Sequence, residues 1–116
     1  MNFHAKYLRE QDIQLLRKHF DVLTFNQPYQ MVYENQIPQV AMILLSGSVH
    51  LKSRRKIIKT IDPGILLGAY HLIHDHPVVF GCEISAKSEV LLIHKSEIIE
   101  IVVADPSDPR KLILAV

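Results

Sequence analysis

The sequence holds one cysteine, Cys82, so no internal disulfide can brace the fold. Such a chain suits a reducing compartment, and a cytoplasmic protein is expected. Charge of either sign is also scarce in excess: the net value is +1 at neutral pH. That removes the electrostatic case for a nucleic-acid or anionic-membrane partner. No apolar run approaches the roughly 18 residues that cross a bilayer. The opening stretch, Met1 to Glu10, is mixed and polar and lacks the apolar core of a signal peptide. Ser46 and Ser48 flank a glycine, but no G-x-S-x-G elbow with triad partners is present. No catalytic constellation emerges, so no enzyme and no cofactor are expected.

What the chain does have is a 48% hydrophobic content spread over 116 residues, enough for one domain with a single core. Ile13, Leu16 and Phe20 recur at spacings of three and four between charged residues, which predicts a short amphipathic helix from Leu8 to Phe20. After Asn26-Gln27-Pro28 the pattern shortens. Met31 to Tyr33 reads as a strand, and Val40 to Leu45 as a strand buried on both faces, too apolar to be half exposed. Gly47 falls where a strand must bend or admit another backbone closely. His50 to Lys52 and Ile57 to Ile61 form the arms of a hairpin with the basic run Ser53-Arg54-Arg55-Lys56 at its tip. That run is a solvated turn; a nucleic-acid contact would need more basic surface with interleaved aromatics.

Pro63-Gly64 is a turn, Ile65 to Leu67 leads into Gly68, and a helical turn follows through Leu72. Glu83 to Ser85 and Val90 to Ile93 are the last strands. Ser96-Glu97 opens a helix to about Ala104, with the serine as its cap. Pro106 and Pro109 end it. Many short strands between helical ends predict a mainly β jelly roll with short N- and C-terminal helices. The divisions are a helical segment at 1–21, a roll at 22–95 and a second helical segment at 96–116.

Three stretches, in this order, carry a resemblance: Ile43-Leu44-Leu45-Ser46-Gly47-Ser48-Val49, then Asp62-Pro63-Gly64-Ile65-Leu66-Leu67-Gly68, then Ser85-Ala86-Lys87-Ser88-Glu89-Val90. With the elements around them, from Leu8 to Pro106, the chain resembles the cyclic-nucleotide-binding domains of the catabolite-activator and kinase regulatory-subunit superfamily. The resemblance implies a double-stranded β-helix roll and a phosphate-binding cassette at 68–80. In that family a glutamate after the second glycine accepts from the ribose hydroxyl, and an arginine pairs with the cyclic phosphate. Here the glutamate position is Ala69, and the arginine position is Val78 or, with a two-residue shift, Phe80. An arginine suits the task because its planar fork pairs bidentately with phosphate oxygens. Losing one partner of such a buried pair costs roughly 2–5 kcal/mol, enough to move a micromolar ligand towards millimolar.

The cassette therefore reads as degenerate, and cAMP or cGMP is not expected to bind in the family manner. A surviving site would draw on Gly68, Ala69, Tyr70, His71, Leu72, His76, Val78, Val79 and Phe80, with His74 nearby. His74 and His76 would share one side of a strand, a usable two-ligand spacing. A cupin pattern needs a glutamate four or five residues further on, where Phe80 and Gly81 stand, so no metal is expected. The same histidines would make the protein respond to pH near the ordinary imidazole pKa of about 6.5.

In the family a long C-terminal helix carries the signal, often dimerises, and leads to an output domain. Here prolines interrupt that region. The apolar run Leu112-Ile113-Leu114 either packs on a partner or second copy, or folds back onto its own roll. Taken together, a regulatory interaction or oligomerisation module is expected, working with a protein partner or as a homodimer. The alternative is a sensor that holds a cyclic nucleotide or another small metabolite in a remodelled pocket.

Overall fold

Alternate residues of one central strand face two different cores, and the rest of the chain is arranged around that division. The computed structural model describes residues 4–114. In chain order the elements are β1 (Lys6–Tyr7), α1 (Glu10–Leu16), β2 (Val22–Phe25), β3 (Tyr29–Val32), β4 (Val40–Ser46), β5 (Val49–Ser53) and β6 (Lys56–Ile61). They continue with β7 (Ile65–Leu67), α2 (Ala69–His74), β8 (Gly81–Ile84), β9 (Ser88–His94), α3 (Lys95–Val103) and a closing 3-10 helix, Pro109–Leu114. One sheet runs β1-β7-β4-β9-β2 and the other β3-β8-β5-β6, every pairing antiparallel.

β4 sits at the middle of the five-stranded sheet, and Ala41, Met42, Ile43 and Leu44 are all fully buried. Since side chains alternate across a strand, Ala41 and Ile43 join a core with α1, α2, α3 and the 3-10 helix. Met42 and Leu44 join the interior of the roll, between the two sheets. Leu91 and Ile93 of β9 go to the helices and Val90 to the roll; Leu66 of β7 goes to the helices, Ile65 and Leu67 to the roll. The mainly β roll with flanking helices thus stands as the sequence implies.

The helix ends differ from expectation for local reasons. Leu8 is outside α1 because its amide donates to the Gly64 carbonyl at 2.8 Å, tying it to the Pro63-Gly64 turn. Beyond Leu16, Lys18 and His19 donate three residues back, to Leu15 and Leu16, tightening the turn that drops Phe20 into the core. α3 begins before Ser96, because the His94 amide donates to the Glu97 carboxylate at 3.0 Å; serine is not its cap. β3 stops short of Tyr33, whose amide is taken by the Gln36 side chain at 3.1 Å.

The run Leu112 to Leu114 is not an exposed stub. Asp108 accepts from the Arg110 amide at 2.9 Å and from its guanidinium, turning the chain back as the 3-10 helix begins. Ile113 is fully buried with Ile13, Leu72 and Ile101, and Leu114 packs against the same cluster. Leu112 is half-buried, and its carbonyl accepts from Lys6 Nζ at 3.3 Å. Ile113 and Leu114 thus close the helix-side core, with Leu112 and Leu114 only partly buried.

The hairpin of β5 and β6 turns through Arg54 and Arg55, both at positive φ, the two-residue geometry that follows the twist of its strands. β6 is a sheet edge, with Ile57 and Ile58 largely exposed between Lys56 and Lys59. At the other end of β5, Gly47 takes φ +88°, and a Cβ there would lie 2.2 Å from Ser88 Oγ. Ser88 is fully buried and belongs to a hydroxyl cluster: Ser85 Oγ lies 2.8 Å from Ser48 Oγ and 2.9 Å from Ser88 Oγ. The Ser48 amide donates to Ser88 Oγ at 3.2 Å. Gly47→Ala therefore meets both backbone strain and a serine that cannot retreat. It should lower unfolding free energy by about 3 kcal/mol in a urea titration, whereas a loss under about 0.5 kcal/mol, the size of an ordinary surface change, would show the corner to be loose.

Candidate functional site

The chain turns from β7 into α2 at Gly68, where φ is +84°. A Cβ here would approach the Val40 carbonyl to 3.3 Å, so the glycine lets α2 start directly against β4. α2 has six residues and splits its side chains between the two cores. Ala69 and Leu72 face the helix-side core. His71, 8% exposed, borders a cavity of about 150 Å³ that opens from the roll interior.

The cavity is lined by Met31, Val32, Leu51, Leu67, Gly68 and Cys82 together with His4, His71, His76, Pro77, Val78, Val79 and Phe80. Of the nine residues expected from the sequence, Gly68, His71, His76, Val78, Val79 and Phe80 converge on it. Ala69, Tyr70 and Leu72 are not among its lining residues. Ala69 packs into the helix-side core, while Val78 and Phe80 are apolar residues of the cavity lining. No lysine, arginine, aspartate or glutamate is among the lining residues.

The wall residues of β3, β5, β7 and β8 were missed by a reading centred on the cassette. Their signal was present, since Val49 and Leu51, and Ile65 and Leu67, alternate as inward-facing strand residues do. His4 left no comparable trace, because its position depends on how the N-terminal segment crosses α2.

The histidines gather around Tyr70 and do not converge on a point. His4 stacks on the Tyr70 ring at 3.7 Å with an interplanar angle of 4°, and His74 and His76 lie 4.7 and 6.1 Å from it. His74 and His76 do not share a strand: His74 ends α2, and Asp75 at φ 51° turns the chain between them. Among the described residues no group of three His, Cys, Asp or Glu side chains is arranged to hold a metal ion. Cys82 is buried in the cavity wall, and burial pushes its thiol pKa up to about 12, so it is a protonated thiol and no nucleophile.

His71 behaves differently from its neighbours. Burial pushes its pKa below the ordinary 6.5, His4 and His76 push in the same direction, and the backbone at His76 and Pro77 opposes them through hydrogen bonding. Its Nδ1 is buried without a hydrogen-bond partner among the described residues.

Two antiparallel sheets form a roll, with helices towards both ends and a short helix after a left-handed glycine. No protein-family model matches the chain, and no curated protein matches it significantly. Solved structures do. A protein of a cyclic-GMP-dependent signalling pathway that regulates bacterial phytopathogenesis superposes with a TM-score of 0.73 at 16% identity, over 93% of this chain and 89% of its own. A cyclic nucleotide-binding-like protein from Brucella abortus gives a TM-score of 0.65 at 22% identity, over 81% of this chain and 84% of its own. The regulatory subunit of a cAMP-independent protein kinase A from Trypanosoma cruzi, bound to guanosine, gives 0.59 at 18% identity, over 77% of this chain and 32% of its own. The chain has the cyclic-nucleotide-binding fold. No described helix is long and apolar enough to cross a membrane.

The lowered His71 pKa has a defined consequence. As pH falls below 6.5 the unfolded chain takes up this proton before the folded one does, so the folded state loses stability on acidification. Urea midpoints should fall as pH drops below 6.5, and His71→Asn should flatten that slope; an unchanged slope in the variant would assign the effect elsewhere.

Proposed function

We propose that this chain is a regulatory module that keeps the cyclic-nucleotide-binding roll but does not hold cAMP or cGMP in the manner of that family. The observation that carries the reading is a cavity lined by no lysine or arginine: Ala69 packs away from it, and Val78 and Phe80, which the resemblance sets at the arginine position, line it. A cyclic phosphate placed there would lose its water and meet no guanidinium or ammonium group. Size argues the same way, since pockets for drug-sized ligands run to roughly 300–1,000 Å³ and this one is about 150 Å³. That a fold neighbour carries guanosine, which has no phosphate, supports the view that this roll can work without one. A non-enzymatic role is supported by the fold neighbours, among them a cyclic nucleotide-binding-like protein and a kinase regulatory subunit. The test is thermal: a ligand selective for the folded state raises the midpoint in proportion to ln(1 + [L]/Kd). Millimolar cAMP and cGMP should leave the midpoint unmoved, and a saturable rise with either would overturn the reading.

A second reading concerns how the module acts, and the outer face of α3 favours it. Ile98 and Ile101 face the core, while Ile99, Val102 and Val103 are 72%, 55% and 79% exposed. At spacings of three and four they form one apolar stripe. Such a stripe suits contact with another helix, and a second copy of this chain supplies an identical one. Sedimentation should show self-association that Ile99→Asp with Val103→Asp removes without loss of helix signal. A native chain that stays monomeric at about 100 μM, some hundredfold above the micromolar affinity of a modest interface, would exclude this route.

A further inference from the structure

One part of the cavity wall comes from the N-terminal segment. His4 lines the cavity, and Ala5 packs against the apolar residues of the roll interior. The chain then runs as β1, which pairs with β7 through two residues, Lys6 opposite Leu66 and Tyr7 opposite Ile65. β1 is the outermost strand of its sheet, and Tyr7 is 74% exposed. Beyond it the Leu8 amide is tied to the Gly64 carbonyl at 2.8 Å. A two-residue ladder on a sheet edge opens at a fraction of the free energy needed to part central strands, such as β4 and β9, which pair from Val40 to Ser46.

Side-chain contacts hold this segment where the ladder is short. The His4 ring lies flat on Tyr70, 3.7 Å between centroids and 4° from parallel, and meets His71 edge-on at 5.3 Å. His4 also has φ 50°, a left-handed conformation that costs free energy in a residue with a Cβ. A favourable contact must offset that cost, and the stack supplies one. Tyr70 is not among the lining residues of the cavity, so its bearing on the cavity wall runs through His4. Lys6 adds a bond from Nζ to the Leu112 carbonyl at 3.3 Å, on the closing 3-10 helix.

We propose that residues His4 to Tyr7 are a strap that closes the roll cavity, fastened by the His4–Tyr70 stack, and that its release opens the cavity while the rest of the fold stays intact. Cys82 reports on this directly. It is the single cysteine, it lines the same cavity, and it is 6% exposed. Burial keeps it a thiol, with a pKa of about 12, so it is inert until the cavity opens. Iodoacetamide is added to the full chain at neutral pH, in urea concentrations below the unfolding transition, and alkylation of Cys82 is timed. The rate is expected to change little with urea, because releasing a strap exposes little surface. His4→Ala and Tyr70→Ala should each speed alkylation about fivefold, the size of one aromatic stack. The double variant should be no faster than either, since both changes remove the same contact. His4→Ala alone tests the fastening even if Tyr70→Ala, which also loses its contact with His74, fails to fold. Alkylation that follows the urea dependence of global unfolding, a rate that His4→Ala leaves unchanged, or effects that multiply in the double variant would each overturn the proposal.

Discussion

The structure depends on a sheet that is buried on both faces. A strand exposed on one side needs apolar residues only at alternate positions, whereas β4 has four successive fully buried residues. Two separate bodies must cover it: the second sheet takes Met42 and Leu44, and the helices take Ala41 and Ile43. Neither cover suffices alone. Removing the helices would expose Ile43, Leu66, Leu91 and Ile93 together, a patch no monomer leaves in water without consequence.

This arrangement also explains where the cavity lies. α2 follows the sheet directly after Gly68, and its residues divide between the two covers: Leu72 packs with Ile113 and Ile101, and His71 faces the roll. One short helix thus touches both cores. Anything that shifts α2 from the cavity side must also disturb the packing of the 3-10 helix and α3 on the other side, because close-packed interiors do not absorb displacement locally. The fold has a physical route from pocket to outer helix face without any long connecting element.

Much of this was legible in the sequence, and the reasons differ by element. β4 and the β5–β6 hairpin were readable because strand burial and turn chemistry are local properties of Val40 to Leu45 and of Ser53 to Lys56. Gly47 was readable as a place of close approach, though not that Ser88, about forty residues away, is what approaches. The stretch from Gly68 to Phe80 was singled out by the resemblance, yet the sequence could not tell that Ala69 and Leu72 face away from His71, since a six-residue helix has too few turns to show a stripe. His74 and His76 were placed on a strand because period alone cannot register the left-handed Asp75 between them. The Leu112 to Leu114 run illustrates the largest gap: its composition fits a sticky surface and a core edge equally well. Only the Asp108–Arg110 turn decides for the core.

The exposed edge β6 bears on how the molecule lives at high concentration. Its outer row of amides and carbonyls is a template for any strand that drifts alongside, and Ile57 and Ile58 would reward the encounter. Lys56 and Lys59 bracket those isoleucines. Two copies meeting edge to edge would have to bring these ammonium groups together, a repulsion that acts at long range before any hydrogen bond can form. Salt shortens the reach of that repulsion while leaving the hydrogen-bonding edge as it was.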